Sequence, residues 1–136
     1  MTQGGVEFAA AFTQFVRDRG RWRDCEPDAL LARWVNFVNE CVRGYEGEGE
    51  DYFNDLTARD SLEDAMRAPC LAGYVEMADL RRAVVEADEK FQAILRPDAF
   101  PGVPQEAWWA RGMVRYAGPR LAMELKQTHH VDIAVV

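Results

Sequence analysis

The stretch Met77-Ala-Asp-Leu80-Arg-Arg-Ala-Val84-Val-Glu-Ala87-Asp-Glu-Lys-Phe91-Gln-Ala-Ile94 decides the fold class. Its apolar residues Met77, Leu80, Val84, Ala87, Phe91 and Ile94 recur at steps of 3, 4, 3, 4 and 3, which puts them on one face of an α-helix and on both faces of any strand. The pattern covers less than three heptads, too little for a coiled coil, so it reads as a buried helix in an antiparallel bundle. Glu86 stands four residues before Lys90, the favourable order for a helical ion pair.

The punctuation on either side of this helix sets out the rest. Upstream, Pro69 ends a helix over residues 51–68, because proline disfavours helical geometry in the residue before it. Before that helix comes Tyr45-Glu-Gly-Glu-Gly-Glu-Asp51, whose glycines make a turning connection and whose acids lead into a positive helix end. Pro27 suits a first helical position, and Leu31, Trp34, Val35, Val38, Val42 and Tyr45 form a stripe over a helix at 27–43 with Gly44 at its end. Phe8, Phe12 and Phe15 place the first helix at 6–19, capped by Gly20.

Downstream, Pro97, Pro101 and Pro104 make a stiff connection, and the last of them opens a short helix through Trp108 and Trp109. Gly112, Gly118 and Pro119 interrupt the chain beyond it, a short helix is expected around 120–126, and the β-branched end at 131–136 reads as extended. The expected fold is therefore all-α: one domain of 136 residues, an irregular bundle of four to five main helices over 1–126 with a partly extended tail at 127–136.

Composition narrows the function classes. No apolar run approaches the roughly 20 residues needed to cross a bilayer, so no membrane partner is expected. The N-terminal stretch has no basic leader, and Cys25, Cys41 and Cys70 match neither a disulfide framework nor a zinc ribbon. These features give the expectation of a cytoplasmic protein whose cysteines are buried small hydrophobes. There is no Gly-rich phosphate loop and no defensible nucleophile triad, so no cofactor is expected.

The charge is unevenly placed. Of the net charge of −7, residues 1–25 supply +1, 26–45 supply −1, 46–64 supply −7, and the last two segments, 65–96 and 97–136, sum to zero each. The dense segment holds eight acids, Glu46, Glu48, Glu50, Asp51, Asp55, Asp60, Glu63 and Asp64, against Arg59 alone. Such a field speeds encounter with a basic protein and repels nucleic-acid phosphates. Arg17, Arg19, Arg21 and Arg23 around Trp22 form the one basic and aromatic run, which Asp18 and Asp24 largely offset, so nucleic acid is not an expected partner.

Helical rotation sorts these acids further. Asp55, Arg59 and Glu63 form an i, i+4, i+8 ladder on the apolar face with Tyr52, Leu56 and Met66, while Asp60 and Asp64 turn outward. A ladder there is either a binding or acid/base cluster or, the favoured reading, a half-buried ion network reaching Arg81 or Arg82. Glu46, Glu48 and Glu50 fail as a calcium loop, since position six would be Asp51 and position twelve Thr57.

Asp60-x-x-Glu63 followed by Glu86-x-x-Glu89 resembles the paired carboxylate motifs of the all-α nucleoside triphosphate pyrophosphatases. That resemblance covers these four positions, without the leading acid pair of such enzymes, and implies an Mg²⁺-dependent nucleotide hydrolase. Glu86 and Glu89, however, face away from the Val84, Ala87, Phe91 seam. His129 and His130 point to opposite sides of an extended tail, which disfavours joint ligation.

The preferred expectation is a non-enzymatic binding or regulatory protein, inhibitor-like or immunity-like, that offers its acidic face and Trp108 or Trp109 to a basic protein. The alternatives are the hydrolase and a homodimer joined through the tryptophans and the 131–136 tail.

Overall fold

Pro27 has no amide hydrogen to leave unpaired, and it opens α2 (Pro27–Arg43), the helix around which the others gather. In this computed structural model, which describes residues 3–21 and 24–136 (side chains from residue 5), α2 packs most extensively against α3 (Gly49–Arg67) and α4 (Glu76–Ala93). The first helix, α1 (Gln3–Asp18), lies across all three, and Gly20 beyond it adopts φ +85°, the left-handed geometry expected of a terminating glycine. The described chain is 68% helical, and its six helices make it all-α. The count exceeds the expected four to five because the C-terminal part supplies two short helices, α5 (Trp108–Arg111) and α6 (Pro119–Glu124).

Being covered by α3 on one side and α4 on the other changes which face of α2 is inside. Leu30, Trp34, Phe37, Val38 and Cys41 are buried, whereas Val42, read from the sequence as part of the stripe, is exposed. The buried band is centred on Phe37, whose ring lies 5.7 Å from Trp34, 5.2 Å from Tyr52 and 5.7 Å from Phe91. These stacked, edge-on and tilted contacts add to the burial of large apolar area from three helices at once. Cys25 and Cys41 are buried as expected, and burial pushes the Cys41 thiol well above the usual range, but Cys70 is exposed.

The tail is extended only briefly. A helical turn at Leu125–His129 prolongs α6, and β4 (Ala134–Val135) then pairs in parallel with β3 (Tyr116–Ala117). Another two-residue pair, β1 (Leu95–Arg96) with β2 (Met113–Val114), is antiparallel and ties the end of α4 to the segment after α5.

One polar atom in the core stands out. The Tyr52 ring is fully buried, and its hydroxyl finds no acceptor among the described residues, only the Val114 backbone being set to donate toward its oxygen. A buried donor left unpaired costs about 1–3 kcal/mol. Tyr52→Phe is accordingly expected to raise stability by about 1 kcal/mol, seen as a higher urea midpoint at unchanged slope. A comparable loss of stability would show that the hydroxyl is satisfied.

Candidate functional site

The inward face of α3 carries Arg59, only 4% exposed, opposite Asp88 of α4 at 8%. The two meet as a fork, with Arg59 Nε 3.0 Å from Asp88 Oδ1 and Nη2 2.9 Å from Oδ2. Trp34 of α2 also donates to Asp88, Nε1 to Oδ1 at 3.0 Å, and Arg59 Nη1 reaches Glu63 Oε1 at 2.9 Å. The guanidinium lies 4.3 Å from the Trp109 ring centroid, and Trp109 Nε1 donates to Asp60 Oδ1 at 2.8 Å. Planar geometry, a bidentate carboxylate and a stacked indole are what an arginine needs in order to be taken out of water.

This cluster joins α2, α3, α4 and α5, and its chemistry is used up internally. Burial raises the Glu63 carboxyl, but hydrogen bonds from Arg67 and Arg59 outweigh it and hold the group below the usual carboxylate range. The guanidinium faces two carboxylates and a ring, so it has no open side for an incoming anion. The ladder expected from the sequence is thus a structural ion network, with a different composition. Its far partner is Asp88, not Arg81 or Arg82: Arg81 donates to the Met66 carbonyl, and Arg82 pairs with Asp79. Asp55 is not part of it. That residue turns toward α2, accepting from the Tyr45 hydroxyl at 3.0 Å and lying 3.7 Å from Arg33.

The acidic segment is therefore divided, which corrects the picture of one continuous face. Glu46, Glu48, Glu50 and Asp51 lie at the start of α3, where Glu48 and Asp51 cap the helix reciprocally. Asp55, Arg59 and Glu63 are neutralised among themselves or by Arg33 and Arg67. Asp60 and Asp64, expected to point outward, are partly covered, Asp60 because Trp109 binds it. The structure does not gather Asp60, Glu63, Glu86 and Glu89: Glu86 and Glu89 are exposed on α4, and no group of three or more metal-ligating side chains forms among the described residues. Neither tryptophan projects freely. Trp109 is buried, and Trp108 is half-buried as a wall of a cleft. Trp22 and Arg23 lie outside the described residues.

A second acidic feature escapes the sequence reading. Near the N-terminal end of α2 lies a groove of about 450 Å³, with Phe8, Leu31 and Leu80 among its apolar lining and Glu26, Asp28, Glu76 and Asp79 also lining it. Asp79 has the exposed Arg82 at 3.2 Å, while Glu26, Asp28 and Glu76 have no ion-pair partner among the described residues. These acids come from two places about fifty positions apart in the chain, in segments whose charges sum to −1 and zero, so summing along the sequence hides them. The signal that could reveal them is the set of first-turn acids of α2 and α4, Asp28, Glu76 and Asp79. No family model matches the chain, and comparison with curated proteins and with solved structures returned no match.

Proposed function

We propose that this chain is a non-enzymatic binding module for a basic protein, which docks an amphipathic cationic segment in the groove lined by Phe8, Leu31 and Leu80. The observation that carries this reading is the combination of apolar surface with three carboxylates, Glu26, Asp28 and Glu76, that have no ion-pair partner among the described residues, in one concave site. Apolar side chains of a partner would fill the groove, while its Lys or Arg residues meet the acids. The acids at 46–51 lie beyond the other end of α2, roughly 25 Å of helix away, and extend the negative field that attracts such a partner.

The test uses an amphipathic Leu/Lys helical peptide and its Leu/Glu counterpart, measured by calorimetry at low and moderate salt. The Lys peptide should bind, weaken as salt rises, and lose about tenfold in affinity to E26Q/D28N/E76Q. E46Q/E48Q/E50Q removes the same charge elsewhere and should change affinity by less than about threefold. Equal losses in the two variants would reduce the interaction to net charge and overturn the groove as its site.

A further inference from the structure

A cleft of about 490 Å³ lies where the end of α4, the 97–104 connection and α5 meet, lined by Leu95, Pro97, Trp108, Arg111 and Arg115 among others. Its rim is rigid for a reason that can be read from the hydrogen bonds. Arg111 donates to Asp98 Oδ1 at 2.7 Å, to the Val103 carbonyl at 2.7 Å and to the Pro101 carbonyl at 3.0 Å, and Phe100 N–H reaches the Arg111 carbonyl at 2.8 Å. The proline-rich connection is thereby stitched to α5, and Asp98 is spent on Arg111.

Arg115 is placed differently. Its Nε is fixed on the Leu95 carbonyl at 3.3 Å, while Nη1 and Nη2 have no partner and no carboxylate lies within ion-pair distance among the described residues. The Trp108 indole N–H is likewise unpartnered among them, and its ring is braced edge-on by Trp109 at 5.7 Å. A tethered guanidinium with a free edge, a supported indole and an apolar floor in a cleft of ligand size form a set suited to one class of molecule. In a chain of net charge −7, this concavity has an uncompensated positive group.

We propose that the cleft binds a small planar aromatic carboxylate, its ring against Trp108 and its carboxylate on the free edge of Arg115. Stacking supplies contact area at little entropic cost, and the planar fork of arginine matches a carboxylate with two parallel hydrogen bonds. This site is independent of the acidic groove, so either can fail without the other.

The experiment is an NMR titration of the full chain with 2-naphthoate and with neutral 2-naphthamide, following the indole N–H resonances, with that of Trp108 identified by W108F. Naphthoate should shift the Trp108 signal and leave that of Trp34 in place, and the amide should bind about tenfold more weakly. R115Q should remove the preference between the two, and R115K, which keeps charge without the fork, should retain part of it. Equal binding of acid and amide by the unmodified chain, a preference that survives R115Q, or no shift at millimolar ligand would each overturn the assignment.

Discussion

Replacing Asp88 with alanine is expected to destabilise the fold by about 3–5 kcal/mol, the range seen when one member of a buried ion pair is removed. The carboxylate is the bidentate partner of Arg59 and the acceptor for Trp34, so its loss orphans three donors in a region where both side chains are nearly inaccessible. Glu63 remains on Nη1, and the indole of Trp109 remains over the guanidinium, but neither replaces the fork. At about 4 °C per kcal/mol for a chain of this size, the melting temperature should fall by roughly 12–20 °C. Arg59→Met leaves Asp88 with only the Trp34 donor and should also be costly. The double variant R59M/D88L should be more stable than the sum of the single variants R59M and D88L predicts, because removing both charges ends the desolvation penalty that each single change exposes. A loss below about 1 kcal/mol for D88A, or strict additivity in the cycle, would show that the cluster is not the fastening the geometry describes.

Arg59 and Asp88 also show where sequence reasoning reaches and where it stops. Rotation along α3 puts Arg59 and Glu63 on the apolar side, since a helix fixes which residues share a face whatever lies opposite. The same arithmetic on α4 would place Asp88 near its buried face, four residues after Val84 and three before Phe91, but a stripe defined by apolar residues alone passes over it. The group opposite Arg59 cannot be read from either helix alone, because it depends on the rotation at which α3 and α4 meet across α2. The same limit explains Asp60: its rotational angle points to solvent, and the covering Trp109 comes from 49 residues further on. The long helices are legible from their prolines, glycines and spacing, with α2 matching to the residue. Its inward face differs from the expected stripe at Leu30, Phe37, Cys41 and Val42, because contact with α3 on one side and α4 on the other buries a wider band, turned toward Phe37, than one stripe predicts.

Gly44 is a position where a single added methyl group should do harm in two ways at once, through the backbone and through a clash. It succeeds α2 with φ +108° and ψ 101°, a combination foreign to residues with a β-carbon, and its N–H closes on the Cys41 carbonyl at 3.1 Å. Gly44→Ala should therefore cost on the order of 1–3 kcal/mol in backbone strain alone. A second cost is added by the tail, because a β-carbon there would sit 2.4 Å from Val136 Cγ2. Val136 is held in place by its N–H on the Ala117 carbonyl at 3.0 Å, continuing the β3–β4 pair, so relieving the clash means loosening that pair. Hydrogen exchange should then quicken at the Ala134 and Val136 amides while protection in α3 and α4 persists. Adding Val136→Ala to Gly44→Ala separates the two effects: the tail amides should regain protection, and the backbone cost should remain in the urea midpoint. If Gly44→Ala unfolds at the same midpoint as the parent chain, the positive-φ turn that joins α2 to the acidic connection is not a fixed feature of the fold.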